Sequence, residues 1–147
     1  MEKQPYKRAR VVLPGTFDLF HKGHEKLIDY ALMIGDLTVT INSDEFSEKL
    51  GKKTIDDEQT RKRNIENYVR HQDRECEVYI CKNETESIWR TISKAPCFRM
   101  TGTDWNIQKT SERVGVEETF WENNNIYLIY KDREPNISTT KLKCQHN

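Results

Sequence analysis

The chain of 147 residues has the length of one domain, and its 24 basic and 24 acidic side chains leave no net charge. This balance supplies no long-range attraction for nucleic acid, and no stretch approaches the ~20 apolar residues of a membrane span. We therefore expect a single domain over residues 1–147 with no nucleic-acid partner and no membrane insertion. Because the first residues lack the apolar segment of a signal peptide, we also expect a cytoplasmic location.

Strand-like apolar runs alternate with amphipathic helical stretches after residues 1–7, which are polar and predicted to be loose. The alternation predicts an α/β fold, a Rossmann-like, doubly wound parallel sheet in which ligands bind beyond the carboxyl ends of the strands. In chain order the predicted elements are a strand at 10–13, a helix at 22–34, a strand at 37–42, a helix at 58–69, a strand at 77–81, a helix at 88–94, a strand at 98–101, a helix at 111–124 and a strand at 126–130.

The segment between the first strand and the first helix carries the strongest chemical signal. Pro14 and Gly15 are predicted to end the strand, and His21 and His24 fall in the first turn of the helix, three residues apart on one face. A helix N-terminus attracts anions through its unpaired N–H groups and its dipole. Two imidazole donors beside it, with Gly23 allowing close backbone approach, predict a phosphate-binding site.

The cysteines and the remaining aromatic side chains carry a weaker signal. The cysteines show no CxxC spacing and no histidine placed to complete a zinc site, so we expect free thiols in a reducing compartment and no metal held by protein side chains. We expect the other histidines at the surface or in the core, and two of the tryptophans in the core or at an interface. These residues are Cys76, Cys81, Cys97, Cys144, His71, His146, Trp89 and Trp121.

Written as a pattern, residues 15–24 read G-T-F-D-x-x-H-x-G-H, which resembles the signature of the cytidylyltransferase-like nucleotidyltransferases. Three further stretches, at 42–46, 101–105 and 133–140, resemble that family in the same order. Each of the four stretches follows a predicted strand, and the likeness extends over residues 10–142. Within the family it is greatest to the glycerol-3-phosphate cytidylyltransferases.

The resemblance implies that the chain joins CTP to a small phosphorylated alcohol such as glycerol 3-phosphate, with Mg²⁺ accompanying the triphosphate. It also implies a homodimer, which we place at residues 65–69 and the neighbouring strands. The family pattern assigns the catalytic phosphate contacts to His21, His24, Lys52 and Arg133. Nucleotide binding falls on Gly15, Thr16, Phe17, Gly23, Asp104, Trp105, Ser138, Thr139 and Thr140, and acceptor binding falls on Asp18, Lys49 and Arg61.

Lys49 and Lys52 lie in an irregular connection predicted at 47–57, where lysines surround Gly51. We expect at least one of these lysines to close over the phosphates. Asp18 has a second expected role, which is to orient a histidine or the turn.

The closing motif departs from the family pattern, since Glu134 and Asn136 stand where the family usually has Thr and Gly. Asn tolerates left-handed backbone better than most residues, whereas the carboxylate of Glu134 repels a triphosphate unless a cation such as Lys131 compensates. Three alternatives stay open. They are an adenylyltransferase acting on a sugar phosphate, a nucleotide-binding homologue with weakened catalysis and, least supported because the chain is short and has no basic face, a fragment of a tRNA synthetase.

Overall fold

The computed structural model describes residues 8–102 and 105–131. Within these ranges the chain alternates between strands and helices, as its apolar periodicity predicts. The elements are β1 (Arg10–Gly15), α1 (Lys22–Ile34), β2 (Asp36–Asn42), α2 (Asp44–Lys49), α3 (Glu58–Arg70), β3 (Cys76–Cys81), α4 (Glu84–Lys94), β4 (Cys97–Gly102), α5 (Ile107–Val114), α6 (Thr119–Asn123) and β5 (Ile126–Lys131).

The five strands form one parallel sheet in the order β3-β2-β1-β4-β5, which confirms the predicted Rossmann-like fold. The strand order reverses between β1 and β4, so the carboxyl ends of these two strands border the crevice where this class of sheet binds ligands. Val12 of β1 pairs with Thr38 on one side and with Arg99 on the other.

The crevice begins inside the sheet, because β1 has ladders of unequal length on its two sides. The ladder to β2 continues through Pro14 and Gly15, whereas the ladder to β4 ends at Val12. The prediction that Pro14 and Gly15 end the strand is therefore wrong. Proline lacks an N–H group and usually disrupts a central strand. Here the described β4 ladder has already ended, and the carboxyl end of β1 is open towards the ligand side.

Helices cover both faces of the sheet because alternate strand residues point to opposite sides. One face packs against α1 and α3, and the other packs against α4 and α6. The first core contains Val11, Leu13, Ile28, Ala31, Leu32, Leu37, Val39, Ile41, Ile65, Val69, Val78 and Met100 among others, and the second contains Val12, Ile88, Cys97, Trp121 and Ile126.

The structure corrects one predicted helix and one predicted irregular connection. The single helix predicted at 111–124 is instead α5 and α6, separated at Gly115, whose φ of 82° lies in the left-handed region that favours glycine at a helix C-terminus. The predicted irregular connection at 47–57 begins with α2, so Lys49 is the last residue of a helix rather than part of a loop. Ser43 caps α2 by accepting from the N–H of Phe46.

Several predicted surface and core positions are also clarified. Ile65 and Val69 are buried in the chain's own core, so a partner could use only other side chains of α3. Trp121 is buried as predicted, but Trp89 is 71% exposed on α4 and is not a core residue. His71 is exposed, as expected.

Three of the four cysteines, Cys76, Cys81 and Cys97, are free thiols, and burial raises the pKa of each to about 11. Cys144 and His146 lie outside the described residues, as do residues 1–7. No helix among the described residues is long and apolar enough to span a bilayer.

Candidate active site

The turn between β1 and α1 is tightly constrained. Phe17 and Leu19 have φ values of 56° and 50°, a conformation that costs a non-glycine residue about 1–2 kcal/mol. The buried ring of Phe17 lies against Gly15, where an added Cβ would come within 2.8 Å of the ring. Strain of this kind persists where the surrounding structure enforces it and is common at functional sites. Any contact of Phe17 with a nucleotide must therefore come from its backbone.

His21 and His24 form a reciprocal cap at the start of α1. His21 is the N-cap, and its Nδ1 accepts from the N–H of Gly23 at 3.0 Å. His24 is the third helical residue, and its Nδ1 accepts from the N–H of His21 at 3.3 Å. This is the geometry of a capping box, with imidazoles in place of the usual Ser/Thr and Glu/Gln. The two rings stack with centroids 3.8 Å apart.

The capping bonds determine the tautomer of both rings. An Nδ1 that accepts a hydrogen bond carries no proton, so each neutral ring holds its proton on Nε2. The pair therefore combines the positive end of a helix with two ring donors of fixed tautomer, which is suitable for binding phosphate oxygens.

Aromatic rings hold His24 in place from behind. Phe17 and Phe20 lie 5.1 and 5.8 Å from its ring centroid, and Phe20 also contacts Tyr68 of α3 at 5.6 Å. The Tyr68 hydroxyl donates to the carboxylate of Asp29 at 2.8 Å, and burial together with this carboxylate raises the pKa of Tyr68. This packing ties the orientation of His24 to α1 and α3.

Arg61 of α3 joins the ends of β1 and β2. Its guanidinium donates to the carbonyls of Thr16, Asn42 and Asp56 at 2.8, 2.8 and 3.1 Å. It also donates to the carboxylate of Asp44 at 2.8 Å. Arg61 has no exposed surface with which to touch an acceptor, so the predicted acceptor contact is replaced by a positioning role.

Asp18 joins the turn between β1 and α1 to the connection that precedes α3. Its carboxylate accepts from the backbone N–H groups of Ile55, Asp56 and Leu19 at 2.8, 2.9 and 3.1 Å, and the residue is 1% exposed. This agrees with the expectation that Asp18 orients the turn. It does not fit the predicted acceptor contact, because the carboxylate is turned into the protein.

The lysine-rich segment, residues 49–53, follows β2 in the chain. Lys49 forms an exposed i,i+4 ion pair with Glu45 at 3.5 Å, and the backbone N–H of Lys52 donates to the carbonyl of Ser47 at 2.8 Å. Thr16 accepts from the side-chain amide of Asn42 at 3.3 Å. The contacts predicted between Lys49, Lys52 or Thr16 and phosphate stay predictions.

Trp105 stands across the crevice, after β4. Its backbone N–H donates to the carbonyl of Gly102 at 3.2 Å, and the Arg113 guanidinium lies 5.3 Å from its ring centroid. The remaining predicted contacts lie outside the described residues. They are Asp104, Arg133, Ser138, Thr139 and Thr140.

Sequence reasoning missed the structural network around Arg61. A signal was present, because Arg61 is spaced i, i+4, i+8 with Ile65 and Val69 on the buried stripe of α3. A charged residue on such a stripe needs hydrogen-bond partners, and the strand-end carbonyls and the partly exposed carboxylate of Asp44 supply them.

A sequence model described as cytidylyltransferase-like matches residues 12–145. The glycerol-3-phosphate cytidylyltransferase of Bacillus subtilis is 33% identical over 135 residues, which cover 91% of this chain and 94% of that protein. The phosphopantetheine adenylyltransferase of Methanothermobacter thermautotrophicus is 38% identical over 73 residues. That alignment covers 49% of this chain and 44% of the relative, so it spans less than half of the relative's length.

Two solved structures resemble the described fold. A lipopolysaccharide core biosynthesis protein from Thermoplasma volcanium matches with a TM-score of 0.58 at 19% identity, covering 86% of this chain and 96% of that chain. A protein of unknown function from Archaeoglobus fulgidus matches with a TM-score of 0.59 at 24% identity, covering 83% and 97%. At these identities the two likenesses show the fold alone.

Proposed function

Because the chain belongs to the cytidylyltransferase-like family, we propose that it transfers CMP from CTP to glycerol 3-phosphate, forming CDP-glycerol and pyrophosphate. The observation that carries the proposal is the histidine pair at the N-terminus of α1, with both Nδ1 atoms accepting backbone hydrogen bonds. The choice of CTP and glycerol 3-phosphate is supported by a relative that aligns with nearly the whole chain.

The proposed reaction is an in-line displacement at the α-phosphorus of CTP. An oxygen of the acceptor phosphate forms the new P–O bond, and the bond from the α-phosphorus to the bridging oxygen breaks as pyrophosphate leaves with its electron pair. A phosphomonoester with a second pKa of about 6 is already a nucleophile at neutral pH, so the step needs no general base. Catalysis then depends on aligning two anions and stabilising the charge that develops.

In this reaction His21 and His24 donate from Nε2 to oxygens of the triphosphate. Their tautomer is set before the substrate arrives, and the ring of His24 is held by Phe17 and Phe20. Preorganised donors of this kind need little rearrangement in the transition state, which is why they accelerate reactions that build charge on oxygen.

The other phosphate contacts in the proposal come from the two segments that flank the crevice. Lys52 approaches from the β2 side, where Asp18 and Arg61 fix the backbone of the same connection. Arg133 and the hydroxyl residues 138–140 complete the triphosphate site, and Asp104 and Trp105 line the nucleotide.

We propose that the nucleotide enters as its Mg²⁺ complex, in which the cation neutralises charge on the triphosphate. No group of three or more His, Cys, Asp or Glu side chains within residues 8–102 and 105–131 is placed to hold a metal ion.

A second candidate is transfer of AMP from ATP. It is favoured by the alignment with an archaeal phosphopantetheine adenylyltransferase, which has the higher identity but covers about half of this chain. The same phosphate site could serve both reactions. The choice between CTP and ATP must therefore depend on the residues that contact the base and the acceptor.

Pyrophosphate release measured with CTP and with ATP tests the proposal. Each nucleotide is paired with glycerol 3-phosphate, with a panel of sugar phosphates and with 4′-phosphopantetheine, and the His24→Ala variant serves as the blank. Release that requires CTP and glycerol 3-phosphate together supports the proposal. Release only with ATP and another acceptor would replace it with the second candidate, and CTP binding without release would indicate the weakened homologue.

We also propose that the protein is a homodimer formed through the outer surface of α3 and the neighbouring strands. Ile65 and Val69 are committed to the chain's own core, so the contact must use the exposed side chains around them. Light scattering at micromolar concentration should give twice the chain mass of 17.5 kDa, and a monomer would contradict this proposal.

A further inference from the structure

An arginine is buried beneath the sheet on the side of β4 that faces α4 and α6. Arg99 is 6% exposed, and its guanidinium carbon lies 5.4 Å from the ring centroid of Trp121. Its backbone pairs with Val12, next to the point where β1 and β4 separate. Arginine is rarely buried without a partner, so this position calls for a physical explanation.

Within residues 8–102 and 105–131, no hydrogen bond or ion pair engages the guanidinium of Arg99, and its Nε is buried without an acceptor. The carboxylate of Glu84, which acts to raise the pKa of Arg99, lies 3.6 Å from the Nε of Arg113. Burial lowers the pKa of Arg99, against the opposing effects of Glu84 and Tyr130. A buried cation without acceptors costs several kcal/mol, a cost that a ligand rich in acceptors would offset.

The topology indicates which ligand group comes nearest to Arg99. If the phosphates bind at His21 and His24, the base must extend over a neighbouring strand. On the β2 side the strand ends are closed by the buried Arg61 network. On the β4 side stand Gly102 and Trp105, with Tyr130 beyond them on β5. A base bound on this side would lie over the carboxyl ends of β5 and of β4, the strand that carries Arg99.

We propose that Arg99 is a specificity-determining residue that donates to the base of the bound nucleotide and selects cytosine over adenine and uracil. This inference rests on the proposed function, since it assumes that a nucleotide occupies the crevice.

The donor pattern of arginine explains the selection. A guanidinium has only donors, and it binds best to two adjacent acceptors through its planar fork. Cytosine offers such a pair at O2 and N3. Adenine does not, because N1 and N7 each adjoin the N6 amino donor, and uracil places an N3–H donor between its carbonyls. A site that must leave its buried donors unpaired with the wrong base discriminates strongly against that base.

The test compares Arg99→Met with the wild-type protein by titration calorimetry, using CMP, AMP and UMP as probes of the base and pyrophosphate as a probe of the phosphate site. Arg99→Lys retains the charge but not the fork. Arg90→Met is the matched control, because Arg90 is an exposed arginine of α4 that contacts Tyr79 at 3.9 Å.

We expect Arg99→Met to weaken CMP binding at least tenfold, to change AMP and pyrophosphate binding less than twofold, and so to remove the preference for cytosine. Arg99→Lys should be intermediate, and Arg90→Met should behave as wild type. Without ligand, Arg99→Met should melt at or above the wild-type temperature, since an unpaired buried charge has been removed.

Three results with Arg99→Met would overturn the inference. One is a CMP preference that survives in Arg99→Met, and another is an equal loss of CMP, AMP and pyrophosphate binding. The third is a lower melting temperature of ligand-free Arg99→Met, which would make Arg99 a structural residue. A wild-type protein that binds AMP better than CMP would instead contradict the CTP specificity of the proposed function, and the inference with it.

Discussion

The Nδ1 of His24 accepts the backbone N–H of His21, while the Nδ1 of His21 accepts the N–H of Gly23. The two nitrogens of each histidine therefore differ, since Nδ1 caps the helix and Nε2 carries the proton of the neutral ring. Replacing either ring therefore affects stability and activity together. The two effects can be separated by choosing substitutions that preserve the cap.

Replacing His24 by Ala should lower kcat/KM at least 100-fold, because it removes a donor that we propose acts mainly in the transition state. The same change should cost about 1 kcal/mol of stability through the lost cap. Steady-state pyrophosphate release and urea unfolding measure the two effects.

The matched control is His24→Gln, since glutamine is a regular capping-box residue at this position. It should regain most of the stability lost in His24→Ala without regaining activity. Activity above a tenth of the wild-type kcat/KM in either variant would contradict the role given to the ring.

Arg61→Met should destabilise the protein by about 3–5 kcal/mol, because the fully buried Arg61 is the donor to the strand-end carbonyls of Thr16 and Asn42, to the Asp56 carbonyl and to the Asp44 carboxylate. Urea unfolding measures the loss. Arg63→Met, at an exposed position on the same helix, should stay within about 0.5 kcal/mol of wild type. Equal effects of the two variants would show that the Arg61 network does not support the strand ends.

Asp18→Asn should loosen the connection that follows α2, since an amide would present N–H groups to backbone donors that now bind a carboxylate. Limited trypsin digestion should cut after Lys52 or Lys53 several-fold faster than in the wild type. Asp36→Asn, which alters an exposed ion pair with Arg8, is the control and should not change the rate. Unchanged cleavage in Asp18→Asn would mean that other contacts hold the connection.

Asp57 should make the stability of α3 depend on pH. Its carboxylate caps the helix at the N–H of Thr60, 2.7 Å away, and this bond lowers its pKa below the ordinary 3.8. The stabilisation is therefore present above about pH 4 and is lost as the pH falls through the lower folded value. The difference in urea midpoint between wild type and Asp57→Ala should be larger at pH 6 than at pH 2.5. Asn can cap the helix without a charge, so the difference in urea midpoint between Asp57→Asn and Asp57→Ala should change less with pH.

Glu134→Thr should lower the KM for CTP several-fold, because it removes a negative charge from a motif proposed to bind the triphosphate. At an effective dielectric near 20, the repulsion over a few ångströms is about 1–4 kcal/mol before cations compensate. Steady-state kinetics with varied CTP measures the change. A higher KM would show that the carboxylate assists binding.

Elements with clear periodicity were predictable from the sequence, and short or interrupted ones were not. The bounds of α1 agree with the prediction because its apolar spacing is regular from Leu27 to Ile34. The six-residue helix α2 is too short for a periodic signal, and only the cap at Ser43 indicates it. Gly115 was the only local sign that the helix predicted at 111–124 would divide.

In the site too, features set by local sequence were predictable, and features set by tertiary contacts were not. The placement of His21 and His24 in one helical turn follows from sequence spacing, but their mutual capping depends on side-chain rotamers that spacing does not specify. The partners of Arg61, and the lack of an acceptor for the Nε of Arg99 among residues 8–102 and 105–131, arise from how distant segments pack together. Composition and periodicity carry no information about such contacts.

The unequal ladders of β1 also have a consequence for how the protein acquires its activity. The strands β1, β2 and β3 pair extensively with near neighbours in the chain, but β1 joins β4 only at Val11 and Val12 and across a long sequence separation. Bringing distant segments together is slow, because the entropy of loop closure opposes it until the contacts form. The histidines and Trp105 lie on opposite sides of this joint, so we expect catalysis to appear only when the last long-range contacts form, later than most of the helical signal during refolding.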